Sequence, residues 1–385
     1  MKQSSTDYDV VIVGGGLAGL ISGLVLSRSG KKVLLVEKKS FPFNKVCGEY
    51  VSNEVFDFLC SLNFNPFSFG ASRIQKLRVS SPSGKQIYAP LDLGGFGLSR
   101  YVMDEALLNL LKHSGVDVME STKVNEILFE DDLFSTKFSS GEIIKSKFVI
   151  GSYGKRDTLD KKLNRKFIQQ HTGFMGVKYH VKTDYPIDEV GLDNFENGYC
   201  GIVKIEDDKY NVCYLFKRTK AVEFASIRDL ETLVLFKNPV IKEIFKNSDF
   251  IRQQPEVINE ISFARKSVIE NHILMCGDAA GLITPLCGNG MAMAIHSGKI
   301  LAELMIESGL LMQDQISLTA RELLESNYKI AWNKHFRTRL FAGRTIQRFF
   351  GNPMLTDVFL KGVHAIPSLE TMLIKKTHGP IIIPS

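Results

Sequence analysis

Only one tryptophan and six cysteines occur among the 385 residues of the sequence. No two cysteines form a C-x-x-C pair, and none has histidines at the spacing of zinc ligands, so neither a metal site nor a dithiol centre is expected. Walker loops, H-E-x-x-H motifs and paired-carboxylate sites are missing too, and the eight histidines show no triad pattern. The chemistry must therefore come from another kind of site.

A targeting segment is not predicted either. Residues 1–9 are polar and carry two aspartates, unlike a signal peptide. Residues 10–27 are uncharged, and a run of this length raises the question of a membrane span, but the glycines within it indicate a nucleotide-binding turn instead. We therefore expect a cytoplasmic protein with free thiols.

Strong compositional bias is absent as well. Hydrophobic residues make up 44% and charged residues 23% of the chain, which is ordinary for a globular protein with a real core. At about 150 residues per domain, the length predicts two to three domains. The net charge of +6 favours anionic ligands or a membrane surface, but no nucleic-acid partner is expected from so mild a charge.

What the sequence does contain is a glycine-rich turn between two apolar segments. Residues 8–13 predict a buried parallel strand, residues 17–28 a helix and residues 32–36 a second strand. This order is typical of a dinucleotide-binding unit. The G-x-G-x-x-G positions and the acidic residue after the second strand are Gly14, Gly16, Gly19 and Glu37.

Each part of this unit has a physical purpose. Gly14 permits the tight turn, Gly16 lets a pyrophosphate approach the backbone, and Gly19 lets helix and strand pack closely. The start of the helix offers free N–H groups and the positive end of its dipole to the phosphates. Glu37 can bind a ribose hydroxyl. The residues predicted to bind the dinucleotide are Gly14, Gly16, Leu17, Ala18, Gly19, Glu37 and Lys38.

A second motif lies near residue 280. Residues 273–281 predict a strand that runs into a turn with one acid, Asp278, and a helix is predicted over residues 291–306. Together the two motifs resemble the flavoprotein superfamily that includes geranylgeranyl reductases, aromatic hydroxylases and flavin-dependent halogenases. The resemblance covers residues 8–308.

The resemblance implies that the protein binds FAD. In that superfamily a Gly-Asp pair binds the ribityl chain, and a P-x-x-G-x-G stretch lies against the isoalloxazine. The helix that follows aims its positive end at the flavin N1–C2=O edge, which stabilises reduced anionic flavin. An arginine before a second-domain helix contacts FAD. On this chain the matching positions are Arg100, Gly277, Asp278, Pro285, Gly288, Asn289, Gly290 and Met291.

Two local features favour the geranylgeranyl reductase branch. Residues 45–49 (KVCGE) resemble the K-x-C-G-E loop of those reductases, and residues 290–303 resemble one of their helices. The candidates for catalysis are therefore Cys47, Gly48 and Glu49, bordering the substrate beside the flavin. The alternative is that Cys47 is only a buried residue in a glycine turn.

Other features depart from individual branches. Hydroxylases have Asp-Gly where this sequence has Tyr153-Gly154, so weak direct reduction by NADPH is expected. The reductases have a W-x-x-P stretch that residues 198–204 lack. Halogenases need a W-x-W-x-I-P stretch, whereas the single tryptophan is Trp332, so a halogenase is not expected.

The resemblance and the remaining patterns predict an α/β fold: a glutathione-reductase-like, Rossmann-type FAD-binding domain with an inserted mixed β-sheet substrate domain and a helical C-terminal region. The FAD-binding part is assigned to residues 1–70, 96–165 and 259–310, the substrate domain to 71–95 and 166–258, and the helical region to 311–385. Further strands are predicted over residues 74–80, 86–90, 116–119, 124–129, 133–138, 143–150, 174–181, 198–205, 209–216, 257–263 and 272–275, and further helices over 101–113 and most of 221–246.

Basic and apolar residues alternate between residues 326 and 356, where no acidic residue occurs. Such a helix can lie on an anionic membrane surface. The alternative is a helix that packs an aromatic stripe on the core and exposes a basic face to solvent. The apolar residues 381–383 are expected to dock on the protein or to cover a pocket. Peripheral contact with the inner face of a membrane therefore stays open.

The favoured function is FAD-dependent reduction of a carbon–carbon double bond in an apolar lipid-, isoprenoid- or polyketide-like substrate. NAD(P)H or a partner reductase would supply the electrons. The alternatives are an NAD(P)H-dependent monooxygenase acting on an aromatic or polyketide substrate and a non-catalytic flavin electron carrier. An apolar substrate is expected because no cluster of polar groups suits a sugar or a nucleotide. The identity of the substrate and the oligomeric state do not follow from the sequence.

Overall fold

The computed structural model describes residues 6–218, 224–284, 288–349, 356 and 379–384. The strands are β1 (Tyr8–Val13), β2 (Val33–Val36), β3 (Tyr50–Ser52), β4 (Ser72–Ser80), β5 (Gln86–Gly97), β6 (Asp117–Met119), β7 (Val124–Glu130), β8 (Leu133–Phe138), β9 (Ile143–Gly151), β10 (Phe174–Thr183), β11 (Glu189–Phe195), β12 (Gly198–Lys204), β13 (Tyr210–Lys217), β14 (Ser248–Phe250), β15 (Glu256–Asn259), β16 (Ile269–Glu270) and β17 (Ile273–Met275). The helices are α1 (Leu17–Ser27), α2 (Phe56–Ser61), α3 (Arg100–His113), α4 (Thr158–Lys162), α5 (Ile227–Leu233), α6 (Pro239–Lys246), α7 (Gly290–Glu307) and α8 (Leu318–Phe349). Short 3-10 turns occur at Asn53–Val55, Pro66–Phe69, Lys166–Gln169, Leu235–Lys237, Gly277–Ala279 and Leu310–Met312.

The first sheet has a parallel centre. Its strand order is β16-β17-β9-β1-β2-β6, and β7 and β8 extend from β9 as an antiparallel meander. β1 pairs in parallel with both β2 and β9, with Ile12 opposite Leu35 and Ile150. β17 pairs in parallel with β9. The carboxyl ends of β1, β9 and β17 therefore meet at one edge of the sheet, which is where α/β proteins bind their ligands.

The second sheet is mixed. Its strand order is β14-β10-β13-β12-β11-β4-β5-β3, and β15 also pairs with β10. The β11–β4 pair is parallel, whereas β10, β12 and β13 pair in antiparallel fashion. Neither β3 nor β11 was predicted from the sequence. β3 belongs to this sheet through its pairing with β5, although it falls within residues 1–70, which were assigned to the FAD-binding part.

Helices α1, α3, α7 and α8 pack with the first sheet in one apolar core. The axes of α1 and α7 come close because Gly298 lies against α1, where an added Cβ would be only 2.5 Å from the carbonyl oxygen of Ala18. Helix α8 buries an aromatic stripe, and the Tyr328 hydroxyl donates to the carbonyl of Met275 at 2.7 Å. These contacts tie the ends of β17 and α7, and hence the edge of the sheet, to the body of the protein.

Two local predictions were wrong. The strand over residues 257–263 ends at Asn259, because Glu260 has a φ of 57° that breaks the extended conformation. The helix over residues 221–246 is divided into α5 and α6 by a 3-10 turn and by Asn238, whose side chain caps α6; residues 219–223 lie outside the described residues. Arg339, one of the basic residues between 326 and 356, departs from the solvated basic face considered for that region, because only 5% of it is exposed.

Among the described residues, no helix combines the length and the apolar character that crossing a bilayer requires.

Candidate active site

The glycine turn after β1 has two kinds of glycine. Gly14 has a φ of 108°, and a Cβ there would lie 2.6 Å from the backbone of Ser152 and Tyr153. A Cβ at Gly19 would lie 2.2 Å from the Gly14 carbonyl oxygen. A Cβ at Gly16, by contrast, would meet nothing closer than 3.9 Å. Gly14 and Gly19 are therefore required by packing, whereas Gly16 leaves open space above the turn.

The N-terminus of α1 faces this open space. Helix α1 has no side-chain cap and no acidic residue in its first turn, so the positive end of its dipole is available to a ligand. The carboxylate of Glu37 accepts hydrogen bonds from the backbone N–H of Gly15 at 2.8 Å and of Lys39 at 3.1 Å. These two bonds hold Glu37 at the end of β2 beside the turn. Its neighbour Lys38 pairs with Asp157 at 2.6 Å.

A buried cluster of two cations and one anion lies beside the glycine turn. Arg100 donates to both carboxylate oxygens of Asp104 at 2.7 Å, and Lys45 donates to the same carboxylate at 2.8 Å. Burial alone would raise the pKa of Asp104, but the two cations outweigh it and hold the pKa below its usual value. Burial lowers the pKa of Lys45. With Lys45 protonated, the cluster has an excess positive charge, which suits a pyrophosphate.

The loop 45–49 is held by donors from three different elements. Lys178 donates to the carbonyl of Lys45 at 3.1 Å, Lys155 to that of Val46 at 3.2 Å, and Asn211 to that of Cys47 at 3.2 Å. Three successive carbonyl groups are thus fixed by the surrounding protein. The loop is therefore a rigid wall of the site.

Glu49, predicted as a catalytic residue, is fully buried and paired. Its carboxylate accepts from Lys178, from His180 at 2.7 Å and from the backbone N–H of Arg100 at 2.8 Å. Burial alone would raise the pKa of Glu49, but Lys178 and His180 outweigh it and lower the pKa. A carboxylate with these partners holds elements together. Its part in catalysis, beside Cys47 and Gly48, stays a prediction.

The second motif lies at the far side of the glycine turn. The N–H of Gly277 is fixed by the Ser297 hydroxyl at 2.9 Å. Lys266 donates to the carbonyl of Asp278 at 2.7 Å, and burial lowers the pKa of Lys266 to about 8. Helix α7 begins at Gly290 without a side-chain cap. Pro285, predicted at the isoalloxazine, lies outside the described residues.

One cavity of about 600 Å³ joins these parts. Among the described residues, its lining includes Gly16, Leu17, Ala18, Glu37, Lys38, Cys47, Gly48, Glu49, Arg100, Gly277, Asp278, Gly288, Gly290 and Met291. The other predicted site residues that the structure describes do not line the cavity. Gly14 and Gly19 allow close backbone packing within the turn, and the side chain of Asn289 donates to Glu54.

The cavity continues from the glycine turn onto the second sheet. Leu77 and Val79 alternate along β4 and face the cavity together with their partners Ala89 and Ile87 on β5. Further apolar side chains from β11, β12 and β13 line the same region: Leu192, Ile202 and Leu215. Cys47 lies at the junction of the two regions, beside Cys213, whose pKa burial raises to about 12.

The residues of the polar region fit FAD. Gly16 provides a cradle that a side chain would fill, and the Lys45–Arg100–Asp104 cluster offers positive charge next to it. The buried Nη1 of Arg156, which also lines the cavity, has no hydrogen-bond partner among the described residues. A buried unpaired donor of this kind is the partner that an anionic or polar ligand would supply.

Comparison with known proteins supports this interpretation. A family model described as an FAD binding domain matches residues 7–63. A digeranylgeranylglycerophospholipid reductase from Methanosarcina acetivorans is 23% identical over 342 residues, which cover 85% of this chain and 81% of that protein. A menaquinone reductase from Mycobacterium tuberculosis is 21% identical over 77% of this chain and 76% of its own length.

A third relative is the conditioned medium factor receptor 1 of Dictyostelium discoideum, 23% identical over 78% of this chain. The match covers 64% of that receptor, so the chain spans less than two thirds of its length.

Two solved structures have the same fold. A flavin-dependent brominase has a TM-score of 0.76 at 18% identity, covering 96% of this chain and 93% of that one. A geranylgeranyl bacteriochlorophyll reductase-like protein from Thermoplasma acidophilum has a TM-score of 0.73 at 20% identity, covering 89% and 87%. The solved structures show the fold, whereas the FAD binding domain match and the reductase relatives support an FAD-dependent enzyme of the oxidoreductase superfamily.

Three groups of this flavoenzyme were not singled out as binding residues from its sequence. Asp104 stands four residues after Arg100, a spacing that brings two side chains together on one helix face and could have revealed the pair. Lys45 was part of the K-x-C-G-E resemblance, but its contact with Asp104 depends on the path of the loop. No local signal points to Arg156, because its role depends on the cavity alone.

Proposed function

We propose that this flavoenzyme reduces a carbon–carbon double bond in an apolar lipid-, isoprenoid- or polyketide-like substrate. The observation that carries the proposal is one continuous cavity, polar beside the glycine turn and apolar along β4, β5 and β11–β13. A polar cofactor and an apolar chain can lie end to end in such a space. The named reductase relatives support the same chemistry.

The residues of the polar region would hold FAD, which supplies the hydride when it is reduced. The Lys45–Arg100–Asp104 cluster and the start of α1 would bind the pyrophosphate, and Glu37 would bind the adenosine ribose. Asp278 would bind hydroxyl groups of the ribityl chain. The start of α7 would stabilise negative charge on the reduced flavin.

The loop 45–49 would separate the cofactor from the substrate. Its carbonyl groups are fixed by Lys178, Lys155 and Asn211, so that Cys47 borders the cavity in a defined position. The apolar side chains of the second sheet would exclude water from the substrate. We further propose a glutathione-reductase-like arrangement, in which the second sheet is an inserted substrate domain.

The electron donor would be NAD(P)H or a partner reductase, and the expected location in the cytoplasm stays a prediction.

We also propose peripheral contact with an anionic membrane through the outer face of α8. Ile330 and Phe341 are 64% and 62% exposed, and Lys334 and Arg337 lie between them at helical spacing on the same face. Binding to anionic but not zwitterionic vesicles, lost in Ile330→Glu, would support this contact; Leu128→Glu, at an exposed site on β7, is the control.

The reaction is tested on the purified, FAD-loaded protein reduced without oxygen. Adding isoprenoid or unsaturated lipid alkenes should reoxidise the flavin and give products with two additional hydrogen atoms. A second sample receives oxygen enriched in ¹⁸O and the same compounds. Incorporation of labelled oxygen into the product would overturn the reductase proposal and favour a monooxygenase. If neither sample reacts with any of the compounds, the result would favour a flavin electron carrier.

Cys47 provides a test of the loop. Cys47→Ser keeps the volume and removes only the thiol, so FAD should stay bound while turnover or product pattern changes. Cys47→Ala leaves a cavity that costs about 1 kcal/mol at most. Cys60→Ser is the matched control, because Cys60 lies on α2 and is likewise a partly exposed free thiol. Unchanged turnover in both Cys47 variants would make Cys47 a packing residue.

A further inference from the structure

Helix α7 begins next to a residue that ordinarily caps helices. Asparagine is among the best N-cap residues, because its side-chain oxygen can accept a hydrogen bond from the N–H groups of the first turn. Asn289 occupies the N-cap position of α7 but makes no such bond. Its φ of −120° and ψ of 14° are also not the extended conformation of a capping residue. Something therefore holds Asn289 away from the helix.

Glu54 provides one such contact. The Nδ2 of Asn289 donates to the Glu54 carboxylate at 3.1 Å, and both residues are fully buried. To cap α7, Asn289 would have to rotate its backbone toward the extended range and turn its amide away from Glu54. The bond to Glu54 opposes both movements.

The position of Glu54 is itself fixed. Arg339 on α8 donates to both carboxylate oxygens at 2.8 and 3.1 Å, and the backbone N–H of Gly379 donates to one of them. The backbone carbonyl of Glu54 accepts from the N–H of Ile382 at 2.7 Å. Glu54 thus cannot follow Asn289 if the side chain of Asn289 turns toward α7.

We infer that Glu54 is a positioning residue that keeps the N-terminus of α7 uncapped by binding Asn289. The first-turn N–H groups of Met291 and Ala292 then stay available to the flavin instead of to Asn289. This inference rests on the proposed placement of α7 at the flavin. It goes beyond that placement because it explains why a good capping residue does not cap.

Removal of the Glu54 side-chain acceptor should shift the flavin reduction potential in the direction opposite to the shift that the loss of charge alone would cause. Glu54→Leu removes the acceptor for Asn289 and a negative charge, and the loss of charge by itself would favour reduced anionic flavin and raise the reduction potential. If the variant instead releases Asn289 to cap α7, the helix terminus is less available and the potential falls. The reduced-to-oxidised ratio at a fixed potential should then decrease roughly two- to five-fold, the range of one helix-terminus interaction.

The experiment measures two quantities in the wild type, Glu54→Leu, Asn289→Ala and the double variant. The first is the flavin midpoint potential of the FAD-loaded protein. The second is hydrogen exchange at the amides of Met291 and Ala292 in the FAD-free protein, which does not depend on the reaction catalysed. We expect a lower potential and slower exchange in Glu54→Leu. Neither change should occur when Glu54→Leu is added to Asn289→Ala.

Glu303→Gln is the matched control, since it removes one negative charge near the other end of α7. It should leave both measurements unchanged. An unchanged or higher potential in Glu54→Leu, faster exchange, or the same shift in the Asn289→Ala background would overturn the inference.

If Glu54→Leu does not fold, Asn289→Asp replaces it. The carboxylate introduced by this substitution would be repelled by Glu54 and attracted by the helix terminus, so exchange at Met291 and Ala292 should be slower than in Asn289→Ala. Equal exchange in the two variants would overturn the inference. Because exchange is measured without FAD, a failure here is distinct from a failure of the proposed reaction.

Discussion

Three carboxylates around the cavity, Glu49, Glu54 and Asp104, are almost completely buried, and each is bound by a basic side chain. A buried ion costs several kcal/mol unless it is paired, so these groups occur only with their partners in place. Their common effect is to fix backbone or cationic groups at the edge of the cavity.

Gly16 is the residue whose replacement should separate cofactor binding from folding. Gly16→Val should fold, because a Cβ there has space, but its side chain should occupy the pyrophosphate position and weaken FAD binding about a hundredfold or more. FAD titration followed by flavin fluorescence measures the loss. Gly14→Val is the contrasting variant, since its Cβ would clash with backbone and the protein should not fold. Unchanged FAD affinity in Gly16→Val would contradict the placement of the pyrophosphate.

His296 should make the protein sensitive to acid. Burial, aided by the nearby His335, lowers its pKa from the ordinary 6.5 to about 3. Below pH 6.5 the imidazole of His296 binds a proton in the unfolded chain but not in the folded protein. The free energy of unfolding therefore decreases as the pH falls from 6.5 toward 3. Between pH 7 and pH 5 this costs about 2 kcal/mol.

Urea unfolding at the two pH values, for the wild type and His296→Gln, measures this loss. The variant should lose about 2 kcal/mol less than the wild type between pH 7 and pH 5. Equal losses would show that His296 does not titrate in this way.

At the scale of the elements, prediction from sequence succeeded where one pattern decides the structure. β1 has the predicted bounds, and α1 ends one residue early, because apolar β-branched runs and glycines are local signals. β11 was missed because three of its seven residues are charged or polar. One of them, Asp193, is buried against Arg78 and Ser80, a contact that no local pattern reveals. The supports of the loop 45–49 were missed for the same reason.

The loop 45–49 should loosen when one of its supports is removed. Asn211→Leu deletes the donor to the Cys47 carbonyl, so Cys47 should react several-fold faster with iodoacetamide while FAD stays bound. Mass spectrometry of modified peptides measures the rate. Cys60 in the same sample is the internal control and should be unaffected. An unchanged rate at Cys47 would show that the remaining donors, Lys178 and Lys155, suffice to hold the loop.

At the scale of the whole molecule, the two sheets have largely separate apolar cores. Glu49 connects them. Its partners Lys178 and His180 lie on β10 of the second sheet, and its third partner, the backbone N–H of Arg100, lies at the start of α3, which packs with the first sheet. A buried charge network of this kind can make two cores unfold together. Breaking such a pair from one side costs about 3–5 kcal/mol.

The wild type should therefore unfold in one thermal transition that FAD shifts upward. Glu49→Gln should unfold in two transitions, of which FAD raises the one that belongs to the first sheet. Calorimetry with and without FAD distinguishes these cases, and Glu130→Gln, at an exposed site on β7, should behave like the wild type. A single transition in Glu49→Gln would mean that other contacts join the sheets.

The central position of β1 has a consequence for synthesis on the ribosome. One side of β1 can pair with β2 soon after both emerge, but the other side waits for β9, which ends at Gly151. At 5–20 residues per second this delay is roughly 7–30 s. During that time the nascent chain carries an apolar strand with one unsatisfied edge, which is a template for aggregation. Chains that stall before residue 151 should therefore depend on chaperones more than chains that stall after it.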